Sequence, residues 1–335
     1  MLRPPVTIPI AFVRGMVSGV QARGLASDPL LEEAGIAPAL LQEPSARVTA
    51  EQYVALFQLL IERFDDECLG FLSRPMKQGS LALMARSAIS AATLEVATRR
   101  CANTFRLLQD DVVFELVRDG ELAGVALRFN PTTAAHPTFL HELLLRVVWR
   151  VLAWLVGGQL PVARFDFAFA SPPYAGSYGK IFPAPLAFDC SRSAFWFDAK
   201  WLQSPVRRDE AALRAFLADA RTHVIVPRRG DDLLSARVRG HLQHAQPAWP
   251  DLVATAEALH MSSSTLQRRL AGEGTTFQSL KDELRRDTAI VRLNASAVPL
   301  ATLAFELGFA DSAAFQRAFK GWTGSAPGAY RRGGA

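Results

Sequence analysis

Cysteine is scarce in this sequence, and its placement excludes two kinds of cross-linked fold. The 335 residues include three cysteines, Cys68, Cys101 and Cys190, which are far apart and form no C-x-x-C pair. This odd, scattered set indicates neither a disulfide framework nor a zinc site. Such sparse use is typical of a reducing compartment, and no leader-like apolar run is evident at the N-terminus. We therefore expect a cytoplasmic protein in which each cysteine is a small core residue.

The sequence also lacks a long apolar run without charges, although half of its residues are apolar. The nearest approach is 139–160, "FLHELLLRVVWRVLAWLVGGQL", where Glu142, Arg146 and Arg150 recur every four residues. This spacing predicts a charged stripe along one helix, which a membrane span would not tolerate. A Glu four residues before an Arg is also the favourable order for an ion pair on a helix. The pattern predicts a core helix with one polar edge and no membrane partner.

Lysine is scarce too, since it accounts for five of the 37 basic residues. The net charge of +5 permits a polyanionic partner without identifying one, and a lone arginine indicates little in so arginine-rich a chain. From residue 231 onward there are 12 basic and 10 acidic residues, a balance of +2. Any surface that binds phosphate in this region must therefore be local.

Complete catalytic motifs are missing as well. "SYGK" at 177–180 matches S-x-x-K but has none of the companion motifs, and His141-Glu142 lacks the second histidine of H-E-x-x-H because position 145 is Leu. Neither a Walker A sequence nor G-x-G-x-x-G occurs. We predict no catalytic residues, no metal ligands and no cofactor, so the protein is not expected to be an enzyme.

In the first two hundred residues, the spacing of apolar positions changes from a helical to a strand-like period. Helical patterns come first, and "TAEQYVALFQLLIERF" opens with Thr49 and Gln52 in capping-box spacing. "VVFELV" and "LAGVALRF" then flank Asp119-Gly120, a hairpin signal, and "ARFDFAFA", "LAFD" and "SAFWFD" follow as further strands. About five strands among many helices predict an α+β domain and argue against a complete jelly roll, which uses about eight.

A break in the pattern predicts the domain boundary. "PRRGDD" at 227–232 combines Pro, Gly and charge, and everything after it has helical periodicity with short turns. We expect an effector-binding or dimerisation domain over 1–226 and an all-α domain over 227–335.

The second domain contains one short pattern twice. "STLQRRL" at 264–270 returns forty-nine positions later as "AAFQRAF" at 313–319. On a helix, Leu266 and Leu270 lie on one face, as do Phe315 and Phe319, so each copy has an apolar seam. The Gln-Arg pair of each copy then points away from the seam.

Each copy is preceded by a short helix and a tight turn. The interval from Leu259 to Leu266 is seven residues and that from Leu307 to Phe315 is eight. Gly308 suits a left-handed turn position, and His260 takes the matching place in the first copy. Two helix-turn-helix units in tandem are typical of a DNA-reading domain. The segment at 276–296 predicts a helix of roughly 27 Å that separates them by about one DNA turn.

At this point a family resemblance is clear. Residues 231–332 resemble the DNA-binding domain of the AraC/XylS family of bacterial transcription regulators. The matching motifs are "MSSSTLQRRLAGEGTTF", "LATLAFELGFADSAAFQRAFKGWTGSAPGAYRR" and, within the latter, G-x-x-P-x-x-Y-R at Gly324, Pro327, Tyr330 and Arg331. The preceding 200 residues resemble, more loosely, the regulatory domain of a subgroup labelled arabinose-binding.

The resemblance implies a sequence-specific regulator that binds operator or promoter DNA. It further implies RNA polymerase as a partner of an activator, an unidentified small-molecule effector and a second copy of the chain. It places base contacts on both Gln-Arg faces, at Ser264, Gln267, Arg268, Ser312, Ala313, Gln316 and Arg317. Arg and Gln can each form paired hydrogen bonds with a base in the major groove, and Arg269 and Lys320 are better placed for phosphates.

The effector site is the least determined expectation. His141, Arg146, Trp149 and Arg150 bring polar and aromatic groups to the helix at 139–160, and arginine can hold an anion by paired hydrogen bonds. In the alternative interpretation, Glu142, Arg146 and Arg150 form a solvated edge. A regulator that needs no ligand, with a first domain that only dimerises, stays open as the second hypothesis.

Overall fold

The computed structural model describes residues 5–130, 137–218 and 233–331. The chain forms two compact units. The helical unit consists of the described parts of Met1–Val13, Leu31–Tyr53 and Arg228–Ala335, and the sheet unit of Arg14–Leu30 and Val54–Pro227. The segment 227–232, where the sequence predicted a boundary, lies outside the described residues, so that boundary stays a prediction.

The strands are β1 (Thr7–Pro9), β2 (Arg47–Thr49), β3 (Val112–Asp119), β4 (Leu122–Phe129), β5 (Arg164–Asp166), β6 (Leu186–Ala187) and β7 (Ser193–Asp198). The helices are α1 (Ile10–Ala22), α2 (Asp28–Glu33), α3 (Ala50–Phe64), α4 (Ser80–Ile89), α5 (Leu94–Leu108), α6 (Thr138–Leu155), α7 (Glu210–Ala218), α8 (Leu234–His244), α9 (Leu252–Ala258), α10 (Ser263–Gly272), α11 (Phe277–Ala295), α12 (Leu300–Glu306) and α13 (Ser312–Thr323).

A five-stranded sheet organises the sheet unit, in the order β3-β4-β7-β5-β6. The pairs are antiparallel except that β5 and β6 run parallel. Aromatic side chains of β5 and β7, such as Phe165 and Phe195, are fully buried against neighbouring aromatic rings. The α+β fold with about five strands that the sequence predicted is confirmed.

The β3–β4 hairpin turns one residue later than predicted. Asp119 pairs with Leu122 as the last rung of the ladder, so the two turn residues are Gly120 and Glu121. Gly120 has a φ of +56°, and a glycine at the first turn position matches the right-handed twist of the flanking strands. The glycine therefore determined the turn, and Asp119 belongs to the strand.

In the helical unit, a small two-stranded sheet comes from the N-terminal part of the chain. β1 and β2 pair antiparallel, with Ile8 opposite Val48. The predicted capping box is confirmed at the end of β2, because the Thr49 N–H donates to Gln52 Oε1 at 2.9 Å and the Gln52 N–H donates to Thr49 Oγ1 at 3.1 Å.

These two strands pack on helix α11, which the sequence did not predict. Thr7 Oγ1 donates to Asp287 Oδ1 at 2.6 Å, and Arg47 Nε donates to Thr7 Oγ1 at 2.7 Å. Arg286 Nη2 approaches Asp287 Oδ1 at 3.0 Å, and the Arg47 N–H donates to the Tyr330 hydroxyl at 3.3 Å. Asp287 is buried, so N-terminal residues complete the core around the C-terminal helices.

Candidate nucleic-acid interface and a cavity in the sheet unit

The first helix-turn-helix unit consists of α9 and α10. Asp251 begins α9 by accepting the Ala254 N–H at 2.9 Å, and Ser262 begins α10 by accepting the Thr265 N–H at 3.2 Å. Between the helices His260 has a φ of +58°, in the left-handed region expected from the sequence. The turn therefore has the geometry usually given to glycine.

The second unit consists of α12 and α13 and repeats this arrangement. Asp311 accepts the Ala314 N–H at 2.7 Å and begins α13, which ends at Gly324 with a φ of +75°. Gly308 holds the left-handed turn position, with a φ of +71°. The extra residue predicted for this turn lies between Gly308 and Asp311, because the rest of the unit aligns with the first.

Both apolar seams are buried. Leu266 and Leu270 of α10 and Phe315 and Phe319 of α13 have no exposed surface. Because each seam occupies the inner face of its helix, the opposite face points to solvent. The two helices are thus held in the core while one side of each stays accessible.

The predicted DNA-binding side chains lie on these outer faces. Ser312 is half-buried and accepts a hydrogen bond from Gln316 Nε2 at 3.1 Å. The other predicted residues are exposed: Ser264, Gln267, Arg268, Arg269, Ala313, Gln316, Arg317 and Lys320. Within the described residues, Arg268, Arg317 and Lys320 make no ion pair, so their charges face outward uncompensated. Contact with DNA at these residues stays a prediction.

The sheet unit contains a cavity of about 260 Å³. Its described lining comes mainly from α3, α4, α5 and α6 and includes Phe57, Phe105, Leu144 and Val148. The sequence did not predict this cavity, because its walls come from helices far apart along the chain. The one available signal was the second apolar face of α6, which carries Leu143, Leu144, Val147 and Val148 at helical spacing.

The four predicted effector residues on α6 are not part of that described lining. His141 is buried, with Nδ1 2.8 Å from Ser193 Oγ and its ring between Phe129 and Phe169. Trp149 Nε1 donates to the Leu160 carbonyl at 3.1 Å, and the Arg150 guanidinium lies 5.6 Å from the Trp149 ring centroid. Arg146 is also buried. Their role in effector binding stays a prediction.

The alternative of a solvated edge on α6 is wrong for Glu142 and Arg146, because both are buried. The hydroxyls of Tyr174 and Tyr178 donate to Glu142 Oε1, from a loop that covers the helix. Burial raises the pKa of Glu142 to about 7, although both tyrosines and Arg146 oppose that change. Since the folded carboxyl keeps its proton to higher pH than the unfolded one, its contribution to stability is present below pH 4.5 and lost as the pH rises through 7.

Two searches of the described residues found nothing. No group of three or more His, Cys, Asp or Glu side chains is placed to hold a metal ion in the part of the chain that the structure describes. No described helix has the length and hydropathy to cross a membrane.

Two family models match this chain, one over its N-terminal part and one over its C-terminal part. Residues 24–206 match the family described as "Arabinose-binding domain of AraC transcription regulator, N-term", and residues 255–333 match the family "Helix-turn-helix domain". Together the two matches span most of the chain, and the second begins within α9 and covers the rest of the two helix-turn-helix units.

Individual relatives are similar over nearly their full length. The chain is 26% identical over 325 residues to the ornithine utilization regulator of Pseudomonas aeruginosa, covering 97% of this chain and 96% of that protein. It is 24% identical to the regulator VirS of Mycobacterium tuberculosis, covering 92% of each. A crystal structure of the transcriptional regulator CdpR from Pseudomonas aeruginosa matches at 20% identity over 97% of this chain and 99% of that one, with a TM-score of 0.33.

Proposed function

Because the chain belongs to the AraC family of transcription regulators, we propose that its two helix-turn-helix units read adjacent major-groove segments of one operator. The protein is a DNA-binding transcription regulator with an N-terminal ligand-binding domain. The observation that supports the reading mode is the repeated outer face, with an exposed Gln-Arg pair on each of α10 and α13.

On these outer faces, some side chains suit recognition of bases and others suit contacts with phosphates. Arg268 and Arg317 can each donate two hydrogen bonds to guanine, and Gln267 and Gln316 can each pair with adenine. Lys320 lies one turn further along α13 and is assigned to a phosphate, which orients the protein without reading sequence.

The distance between the copies suits this mode. Helix α11 has 19 residues, a length of about 28 Å at ~1.5 Å per residue. With the width of the flanking units, this length supports a separation of α10 and α13 of about one DNA turn, roughly 34 Å. One chain would therefore occupy two successive major-groove segments on one side of the duplex.

Arg268→Ala and Arg317→Ala test base reading. Each should weaken binding to the specific site by about 1–3 kcal/mol and relax the preference at different base pairs. Lys320→Ala is the contrast, since it should weaken all sequences alike and reduce the salt slope by about one. Selection of binding sites from a random DNA pool, followed by titration at several salt concentrations, measures both effects. Full specificity in both arginine variants would overturn the assignment.

We also propose that two copies of the chain bind together on DNA. One chain carries a single tandem unit, and repeated half-sites raise affinity by linkage. Sedimentation with and without operator DNA measures the state of assembly. A monomer with a footprint of one half-site would contradict the proposal.

The remaining assignments follow from action on bacterial DNA. The proposed partners are promoter DNA, RNA polymerase and an effector, the compartment is the cytoplasm, and no enzymatic activity is assigned, since the named relatives are regulators. The name of one relative concerns ornithine utilization. An amino-acid carboxylate needs a cationic partner, which the described lining of the cavity lacks, so we do not assign ornithine to that cavity.

For the α6 residues, the effector role is tested by Arg146→Leu and Arg150→Leu. Loss of ligand dependence in a reporter, with DNA binding retained, would support it, and a normal dose response would exclude it.

A further inference from the structure

The cavity in the sheet unit has mostly apolar walls. Phe57 and Ile61 of α3, Phe105 of α5 and Leu144 and Val148 of α6 form much of its described lining, and all five are buried. Apolar side chains offer dispersion contacts to a ligand and no hydrogen bonds. A ligand that fills this space must therefore be mainly apolar itself.

The polar groups of the lining are few, and Glu67 and Ser80 already make hydrogen bonds within the protein. Glu67 accepts the N–H groups of Gly79 and Leu81 at 2.8 and 2.7 Å, next to the start of α4. The Ser80 hydroxyl donates to the Lys77 carbonyl at 2.7 Å. A sugar would bring several hydroxyls into a space with few partners for them, and an unpaired buried hydroxyl is costly.

The charge of the lining also limits which ligands the cavity can bind. Glu67 carries the single formal charge of the described lining, and that charge is negative. Among the described lining residues no cationic side chain is present to pair with the carboxylate of a ligand, which would lose its hydration there without a partner. The walls thus disfavour both a sugar and an anion, although the matched family carries arabinose in its description.

We propose that this cavity binds an uncharged, mainly apolar molecule with about eight to ten non-hydrogen atoms and one hydrogen-bond donor, which Glu67 or Gln78 accepts. The size follows from the volume of about 260 Å³, which is roughly nine water-sized groups of ~30 Å³ each. The inference deepens the proposed effector role by naming the class of effector.

Three probes separate the classes: 1-octanol, octanoate and L-arabinose, titrated calorimetrically into the full chain. 1-Octanol and octanoate share a chain length and differ at the head group, so their comparison isolates charge. We expect 1-octanol to bind at least about tenfold more tightly than either of the others. Equal or tighter binding of octanoate or L-arabinose would overturn the proposed class.

Two matched pairs of variants locate the binding. Ala82→Phe and Leu108→Trp place rings at half-buried lining positions of α4 and α5. Leu83→Phe and Leu107→Trp are the controls, since these exposed neighbours lie on the same helices outside the described lining. Each lining variant should reduce 1-octanol affinity about tenfold or more, and each control should leave it unchanged. Two folded lining variants that bind normally would exclude the cavity.

Glu67→Gln tests the head-group selectivity. The glutamine removes the charge and keeps one of the two acceptor oxygens, so one of the Gly79 and Leu81 N–H groups loses its partner. Because both probes are compared in the same variant, octanoate should still gain about tenfold relative to 1-octanol. An unchanged ratio would show that Glu67 does not discriminate, and would overturn that part of the proposal.

Operator binding separates this inference from the proposed function. The operator affinity of the full chain is measured with and without saturating 1-octanol, beside Arg317→Ala as a DNA-binding control. Binding of 1-octanol with unchanged operator affinity would establish the ligand class and refute its role as an effector. Loss of operator selectivity in Arg317→Ala would be independent of either result.

Discussion

The two helix-turn-helix units reach the same backbone geometry with different residues. At the turn, His260 and Gly308 have φ values of +58° and +71°. At the start of the outer helix, a serine hydroxyl caps α10 and an aspartate carboxylate caps α13. The geometry is therefore fixed by the buried seams, and the residue at each turn adjusts how much strain that geometry costs.

The room available for a Cβ atom explains why the turn at Gly308 needs glycine and the turn at His260 does not. A Cβ on Gly308 would lie 2.9 Å from Trp249 Cδ1 and 3.1 Å from Arg285 Nη2. Trp249 is itself buried and donates to the Glu306 carbonyl at 2.8 Å. His260, by contrast, is exposed. Gly308 is exposed as well, but a Cβ there would press against Trp249. The second turn is therefore packed on one side, whereas the first is open to solvent.

The largest expected effect lies on α11, the helix that joins the two copies. Asp287→Ala leaves Arg47 and Arg286 without their shared carboxylate. Burial and the neighbouring Arg286 lower the pKa of Arg47 to about 10, and Asp287 opposes that change, so its removal leaves the buried Arg47 charge less stable. We expect a loss of about 3–5 kcal/mol in the free energy of unfolding. Urea denaturation measures it. Asp282→Ala on the same helix is the control, with a change below about 0.5 kcal/mol, and similar losses would show that the buried cluster contributes nothing special.

The next largest effect is expected at the packed turn. Gly308→Ala combines the left-handed φ with crowding against Trp249, so it should cost about 2–4 kcal/mol. Gly321→Ala within α13 has open space around the new methyl group and should stabilise by about 0.5–1 kcal/mol. Thermal unfolding of both variants checks the signs. A harmless Gly308→Ala would remove the proposed difference between the turns.

The two caps give an intermediate effect. Ser262→Ala and Asp311→Ala should each cost about 1 kcal/mol, because each leaves a helix N–H without its acceptor. The aspartate should cost about 0.3–1 kcal/mol more at low salt, since its charge also interacts with the helix dipole. Unfolding at low and high salt separates the two contributions. A difference that persists at high salt would contradict the charge explanation.

The smallest effect is expected at the open turn. His260→Gly relieves the left-handed strain but increases the entropy of the unfolded chain, so the net change should lie within about 0.5 kcal/mol. Chemical denaturation of this variant beside Gly308→Ala completes the comparison. A loss above about 1 kcal/mol would mean that the His260 side chain makes contacts that the turn depends on.

The helix-turn-helix units could be predicted because their determinants are local. The i, i+4 seams, the left-handed turn positions and the spacing of seven or eight residues all lie within short stretches of sequence. The hairpin was predicted one residue early, since Asp119-Gly120 and Gly120-Glu121 are both acceptable turn pairs and only the strand register decides between them.

The rest depends on residues that are distant in sequence. Periodicity assigned Glu142 to a solvated edge because a charged stripe usually faces water, and nothing local showed that Tyr174 and Tyr178 would cover it. The cavity escapes prediction for the same reason. β1 and β2 are three residues each, too short to show an alternating pattern.

The contact between Thr7 and Asp287 also affects the order of events during synthesis. The two residues are 280 positions apart in the chain. At roughly 5–20 residues per second, a ribosome needs about 14–56 s to make Asp287 after Thr7. Throughout that interval β1 has no α11 to pack on, and neither does β2 once it has been made, while all of residues 54–227 emerge. The sheet unit can therefore fold first. The helical unit, which contains the DNA-binding helices, completes its fold last, when α11 packs on the residues that were synthesised first.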